Sequence, residues 1–402
     1  MHHHYHHIIS HPFHFHFIHA VYIVFFVLVL LVISFYLGRS AQRRSSRRKL
    51  SLSKHYFVGL NYLLNEQPDK AVDVFIRMLD VDSETLETHV AIGSLFRRRG
   101  EVERAIRIHQ NLISKPNLSR AMRIQALIEL GHDYLHAGLY DRAERLYLEA
   151  IDMGGKVAAP CIKPLLTIYQ HEKEWVKAIQ YAQLLQAQLK EPMNTIIAHY
   201  YCELIGASFL QLTDTKFKEY LALALAADPK CVRVSLIEGE WYMRHNDFKT
   251  AIKAYKRVKD QDADYISETV EPLATCYEKL HDETGLHDYL YQYLNESPRL
   301  NLILTITDKL QLWHGDKVAA DFIVEHLRKQ PSIQGLQRLT ELYIKQTNAE
   351  DQQRWQVLQS LIQDFLRDKM RYQCGHCGFT SKTLDWLCPG CRHWGTIKPQ
   401  LI

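Results

Sequence analysis

The stretch Gly131-His-Asp-Tyr-Leu-His-Ala-Gly-Leu-Tyr-Asp-Arg-Ala-Glu-Arg-Leu-Tyr147 carries a glycine, an aromatic three residues on, an alanine at the twelfth and a second aromatic at the sixteenth. The same offsets recur in Gly59/Tyr62/Ala71/Phe75 and Gly239/Tyr242/Ala251/Tyr255, and as far as the alanine in Gly93/Phe96/Ala105. The alanine series runs Ala71, Ala105, Ala143, Ala178, Ala251 and Ala319, with spacings of 34, 38, 35, 73 and 68. The last two are each about two periods, and Phe217 and Leu286 stand near the slots left over. A fixed period of this length marks a repeated pair of helices. Small residues let two antiparallel helices approach, and the aromatics are expected to fill the space between successive hairpins. The polar segments Asn65–Asp69, Arg98-Arg99-Gly100 and His245-Asn246-Asp247 fit the turns inside the repeats, with Asp247 read as an exposed turn residue of little structural consequence.

The pattern resembles the tetratricopeptide repeat, a 34-residue helix–turn–helix, and predicts an all-α superhelical solenoid of about eight or nine repeats over residues 55–366. One such hairpin cannot bury its own apolar face, so stacking must supply a continuous core and a curved concave surface. The repeats near 205–230 and 286 are less typical.

Composition agrees with this class. In 402 residues, Gly (17) and Pro (12) are scarce, which favours helices over turn-rich β architecture. The net charge of +4 is unevenly spread. Residues 1–65 hold seven basic side chains and no acid, so subtracting them leaves −3 on the rest and excludes a globally basic nucleic-acid binder. The basic side chains follow Ala20–Leu37, eighteen residues without a charge. At ~1.5 Å per residue such a run spans ~27 Å, close to the ~30 Å hydrocarbon core. Residues 20–38 therefore read as a retained transmembrane helix, since a basic tract follows in place of a signal-peptidase site. The positive-inside rule puts Arg39–Lys49, and everything after it, in the cytoplasm, with the N-terminus across the membrane. Residues 39–54 form a basic connector able to attract anionic headgroups. Residues 1–19, with nine histidines, read as a non-native or mis-assigned start, the alternative being a metal-binding tail.

The eight cysteines fall into two sets. Cys161, Cys202, Cys231 and Cys276 are scattered and read as buried, reduced apolar residues. Cys374, Cys377, Cys388 and Cys391 form Cys-x2-Cys, ten residues, Cys-x2-Cys within residues 367–402. Each tight knuckle points two thiolates at one ion, and two knuckles complete a tetrahedron. A tail this short has too little core to fold alone, and a structural ion contributes on the order of 10–16 kcal/mol of apparent binding free energy. Four sulfurs suit iron and zinc alike. The Cys-Pro-x-Cys knuckle looks like rubredoxin and zinc ribbons, although Arg392 follows the fourth cysteine where rubredoxin usually has glycine. His376 and His393 read as surface neighbours of the ligands. Trp386, Trp394 and Phe379 are expected to shield the metal and pack on the solenoid. Base stacking, with Lys382, Arg392 and Lys398 on phosphates, is the alternative, and no nucleic acid is expected.

No catalytic constellation is complete. Gly154-Gly155-Lys156-Val157 resembles the end of a P-loop but lacks its Ser/Thr. His171-Glu172 opens like a metalloprotease motif, yet position 175 is Trp. His281 to Asp288 has ligand chemistry but falls where a repeat turn is expected. The chain reads as a binding protein.

Several motifs together resemble the lipopolysaccharide assembly protein B family. They are Leu95-Phe96-Arg97-x-Arg99-Gly-Glu-Val-x-Arg104-Ala-Ile-Arg-Ile-His109-Gln110, Gly138-Leu-Tyr-Asp-Arg-Ala143 and Tyr201-Cys-Glu-Leu204. The tail adds Cys377-Gly-Phe-Thr380, Leu384, Trp386, Cys388-Pro-x-Cys391 and Thr396-Ile-Lys-Pro399. The resemblance runs from the apolar segment to the C-terminus. It implies a Gram-negative inner-membrane adaptor that promotes degradation of the lipid A deacetylase LpxC by the membrane protease FtsH and gathers lipopolysaccharide synthesis and transport proteins. It also implies that Cys374, Cys377, Cys388 and Cys391 are the metal ligands. Two alternatives stand beside it: a pure scaffold with no role in proteolysis, and a rubredoxin-like electron carrier.

Overall fold

The computed structural model describes residues 29, 32–35, 57–77, 83–116, 118–296, 299–367 and 369–400. The tail 1–19, the connector 39–54 and nearly all of the apolar run 20–38 lie outside them. No helix among the described residues is long and apolar enough to cross a membrane.

Among the described residues from 57 onward, eighteen α-helices follow one another and pair in chain order into nine hairpins. They are α1 (57–64) with α2 (Pro68–Ile76), α3 (Ser83–Arg98) with α4 (Val102–Ile113), α5 (Arg120–His136) with α6 (Tyr140–Gly154), and α7 (Ile162–His171) with α8 (Trp175–Leu189). Next come α9 (Asn194–Ala207) with α10 (Asp214–Ala227), α11 (Val232–Arg244) with α12 (Phe248–Gln261), and α13 (Ser267–Lys279) with α14 (Glu283–Glu296). The last two pairs are α15 (Leu300–His314) with α16 (Asp316–Lys329) and α17 (Ile333–Gln346) with α18 (Ala349–Arg367). The chain divides into two compact units, one ending at Pro164 and one beginning at Leu165.

Within both units the repeat register has a physical cause. Ala71, Ala105, Ala143, Ala178, Ala251 and Ala319 are all fully buried, as are Phe217 and nearly so Leu286 in the two atypical copies. The glycine upstream is a notch for the aromatic of its own hairpin, a different use from the expected filling between hairpins. A Cβ on Gly59 would lie 2.5 Å from the Phe75 ring, on Gly131 2.6 Å from Tyr147, and on Gly239 2.4 Å from Tyr255. Large and small residues are thus paired across each hairpin, which is what close packing demands.

The turns repeat as well. Glu66, Gly100, Gly138, Lys173, Asn246 and His281 all take positive φ, between 54° and 81°, five residues before the slot alanine or its substitute. The next residue's N–H then reaches back to an aromatic carbonyl: Gln67 to Tyr62, Glu101 to Phe96, Leu139 to Tyr134, Glu174 to Tyr169, Asp247 to Tyr242 and Asp282 to Tyr277, at 2.8–3.0 Å. This left-handed cap satisfies carbonyls that the helix end would leave bare. His281 therefore belongs to a turn of the standard form, while the Phe217 copy has a longer connection over residues 208–213. The P-loop-like segment is the end of α6 running into a 3₁₀ turn, Gly155–Cys161.

In the first unit one copy replaces the aromatic by His109, seated in the notch of Gly93. Its Nδ1 lies 2.5 Å from Asp133 Oδ2, and both side chains are fully buried. Arg97 reaches Asp133 at 2.7 Å and Glu129 at 2.8 Å. A buried carboxylate is tolerated only when so surrounded; removing one member leaves an uncompensated charge.

In the second unit a three-stranded antiparallel sheet follows α18: β1 (Tyr372–Cys374), β2 (Thr380–Ser381) and β3 (Ile397–Pro399), in the order β2-β1-β3. Tyr372 faces Ser381 on one side and Pro399 on the other.

Asp247 is more than an exposed turn residue: its Oδ1 accepts from Thr250 N at 3.2 Å and caps α12, and the Thr250 hydroxyl, then this amide, hold its carboxyl below the usual range. Three substitutions in one hairpin should therefore rank in a fixed order. Ala251→Leu forces extra methylenes into a filled slot and should cost about 1–3 kcal/mol. Asp247→Ala loses a cap worth about 1 kcal/mol. Lys249→Ala, at an exposed side chain with no ion pair among the described residues, should be close to neutral. Thermal unfolding checks the order; equal shifts for Ala251→Leu and Lys249→Ala would contradict the register.

Candidate metal centre

The four clustered cysteines are brought together by the two knuckles. Their sulfurs all lie within 4.8 Å of one another. Cys374 Sγ is 3.7 Å from Cys391 Sγ, and Cys377 Sγ is 3.7 Å from Cys388 Sγ. A disulfide needs ~2.05 Å, so neither pair is one. A tetrahedron with ~2.3 Å metal–sulfur bonds has edges of ~3.8 Å. The observed spacing fits a tetrahedral site for one ion, iron or zinc.

Each knuckle is closed by a backbone turn. Gly378 N donates to Cys374 O at 3.0 Å and Arg392 N to Cys388 O at 2.9 Å. Both residues have positive φ, 77° and 59°, so Arg392 adopts the conformation that glycine takes at the equivalent place in the first knuckle. The strain of a side chain there is on the order of 1 kcal/mol.

Hydrogen bonds converge on Cys374 Sγ. His376 N lies 3.4 Å from Cys374 Sγ and Thr396 Oγ1 lies 3.2 Å from it. Burial opposes ionisation of Cys374, yet the Thr396 hydroxyl and the amides of Cys377 and His376 bring its thiol down to about 6. Cys391 is pushed up to about 12, by desolvation first and then by the neighbouring sulfurs. Four thiols this close cannot all ionise without a cation among them, and a bound divalent ion removes that conflict. His376 and His393 stack on each other at 4.0 Å and are exposed. Cys161, Cys202, Cys231 and Cys276 are buried and free, separate from this cluster.

The ribbon is seated on the helices of its own unit. The Trp394 ring stacks on His199 at 5.2 Å and meets Tyr200 edge-on at 5.7 Å, with Trp175 at 6.4 Å. Its Nε1 donates to Gln170 Oε1 at 3.4 Å, the same oxygen that accepts from the Tyr200 hydroxyl at 2.9 Å. Gly395 makes this fit possible: a Cβ there would lie 2.9 Å from His199 Nε2. Burial, and then Arg233, push His199 down to about 3, so the ring under Trp394 is neutral. Trp386 stacks on Tyr265 at 5.6 Å, the Arg233 guanidinium lies 5.8 Å from the centroid of the Trp386 ring, and Arg233 pairs with Glu203 at 2.8 Å.

Polar bonds frame these rings. Tyr265 donates to Ile397 O at 2.7 Å and Tyr372 to Glu268 at 3.2 Å. Lys398 bridges Asp262 at 2.8 Å and Asp264 at 2.9 Å, and these carboxylates hold its ammonium above the ordinary lysine range. Lys398 is thereby committed to the solenoid, away from any phosphate role. Phe379 departs from expectation: it is 37% exposed and does not join the seat. Sequence reasoning missed His199, Asp262, Asp264 and Tyr265, whose partners lie more than 130 residues away.

Cys388→Ser should release the ion and loosen residues 372–399, while helical content elsewhere is kept. Cys276→Ser, in the scattered set, should retain it. Metal analysis of both purified variants decides; stoichiometric metal in Cys388→Ser would refute the four-sulfur site.

The comparisons with known proteins agree with this geometry. Residues 372–399 match the family described as a rubredoxin metal binding domain, and residues 88–121 match a tetratricopeptide repeat. Lipopolysaccharide assembly protein B of Escherichia coli strain K12 is 37% identical over 367 residues, covering 90% of this chain and 94% of that one. The protein of the same name from Haemophilus influenzae is 34% identical over 381 residues, again covering 90% and 94%. With a relative above 30% identity matched over nearly its whole length, the chain belongs to the lipopolysaccharide assembly protein B family.

Proposed function

We propose that this protein is an inner-membrane adaptor in lipopolysaccharide assembly, working by binding rather than by chemistry of its own. Its finer role, in this reading, is to promote degradation of the lipid A deacetylase LpxC by the membrane protease FtsH, while gathering other lipopolysaccharide synthesis and transport proteins. Cys374, Cys377, Cys388 and Cys391 hold one iron or zinc ion whose task is to fold the ribbon. All four coordination positions are filled by sulfur, which leaves none for a hydrolytic water.

The observation that carries the reading is the seat of the ribbon. Trp394, Trp386, Tyr265 and Lys398 fasten it to α8, α9, α11 and the α12–α13 connection, so one surface is built jointly from ribbon and repeats. Such a composite surface suits an adaptor. An electron carrier has no need to be held so, and Lys398 and the two tryptophans would be idle in it. The apolar run 20–38 anchors the chain beside the protease, and tethering raises effective concentration without tight contacts.

Depletion of the protein should lengthen the half-life of the deacetylase several-fold in cells that have the protease and leave it unchanged in cells that lack it. An unchanged half-life in both would leave only the scaffold role. Removing residues 1–38 should give a folded protein that no longer restores turnover at native expression; full restoration would sink the proximity argument.

A further inference from the structure

Between the ribbon and repeats seven to nine lie two adjoining hollows of about 530 and 500 Å³, which share Gln337, Leu366, Lys369 and Arg371 in their walls. Together they form one open groove. Its charge is graded along its length. At the repeat end, Arg338 pairs with both Asp308 and Glu341, at 2.7 and 3.1 Å, and Glu268 accepts from the Tyr372 hydroxyl, so with Glu271 also in the wall that end keeps a net negative charge. At the ribbon end, Arg371 acts on Glu268 through its charge but makes no contact ion pair among the described residues, Lys382 makes none either, and the Lys369 ammonium lies over the Phe365 ring at 4.5 Å. Excess positive charge therefore gathers where the ribbon meets α18.

The rest of the wall points to the kind of ligand. The side-chain amides of Asn301, Gln334 and Gln363 line the groove and make no hydrogen bond among the described residues. A side-chain amide offers donor and acceptor together, the same pair that an extended peptide backbone presents. A nucleic acid is the poorer match. The one aromatic in the wall, Tyr372, is already hydrogen-bonded, and the carboxylates of the repeat end repel a phosphate chain. We propose that this groove binds an extended segment of a partner protein, with acidic side chains of that segment at Lys369, Arg371 and Lys382 and its backbone on the amides. The proposal deepens the adaptor reading by naming where and how a client is held.

Arg371 and Lys382 stand on the ribbon, at the start of β1 and just after β2. One wall of the groove thus exists only while the ribbon is folded and seated. Ion binding and peptide binding are then linked, and each must favour the other by the same factor.

The test uses the full-length protein in nanodiscs of zwitterionic lipid and a fluorescein-labelled dodecapeptide with glutamate at alternate positions, followed by anisotropy. The glutamate probe should bind at least tenfold more tightly than its glutamine counterpart, and the advantage should shrink as salt rises. Arg371→Glu with Lys382→Glu should lose at least tenfold, and Arg371→Gln with Lys382→Gln a smaller part if the reversal disturbs folding. Gln334→Ala should lose about threefold, Lys249→Glu nothing. Cys388→Ser should bind as poorly as the charge-reversed variant. Equal binding of the two probes, or full binding by the double variants with normal metal content, overturns the proposal. So does competition by phosphatidylglycerol vesicles with no preference between peptides, which would make the patch a lipid contact. If the probe fails to bind while depletion still stabilises the deacetylase, the groove is wrong and the adaptor role stands.

Discussion

The stacking of Trp394 on a buried, neutral His199 is the contact on which the architecture of the second unit turns. A ribbon of three short strands has too little apolar surface to hold a fixed place, and its own core is little more than Cys374, Cys388 and Ile397. Its two tryptophans supply what is missing. Burying one such ring removes roughly 150–250 Å² from water, on the order of 4–6 kcal/mol at ~25 cal/mol/Å². The rings also need polar company, and Gln170, Glu203 and Arg233 provide it. The ion folds the ribbon, the ribbon presents the rings, and the rings fix one wall of the groove.

The helices obey a second economy. Six hairpins among the described residues are closed by a left-handed turn, and three of these seat an aromatic over a glycine. The copy with His109 departs from this by burying Asp133, with the partly exposed Arg97 paired to it, where an aromatic would have served as packing. A buried set of this kind fixes one arrangement of side chains at the expense of tolerance, because none of its members can be lost singly.

Much of this was legible in the sequence, for a physical reason. The alanine series and the glycine offsets report contacts inside one hairpin, a few turns apart, and such contacts impose a period. The four cysteines report a local chelate whose spacing is set by two tight turns. Even the arginine at 392, where rubredoxin usually has glycine, could be seen, though not that Arg392 would take the left-handed conformation regardless. The seat of the ribbon was illegible. Trp394 meets Gln170 across 224 residues and Tyr265 meets Ile397 across 132, and no periodicity encodes such pairs. Asp262 and Asp264 belong to no motif, and only the fold brings Lys398 between them. Asp247 hid its capping role in the same way, since a cap and an exposed acid share one composition.

The central claim is that ion, ribbon and solenoid form one cooperative structure. Hydrogen–deuterium exchange of the full-length protein, before and after chelation of the ion, tests it most directly. The account predicts that protection falls together in residues 372–399 and in the surfaces that seat them, α9 and residues 262–279, while α3 and α4 are unchanged. Loss confined to 372–399, with α9 and the α12–α13 connection as protected as before, would contradict it.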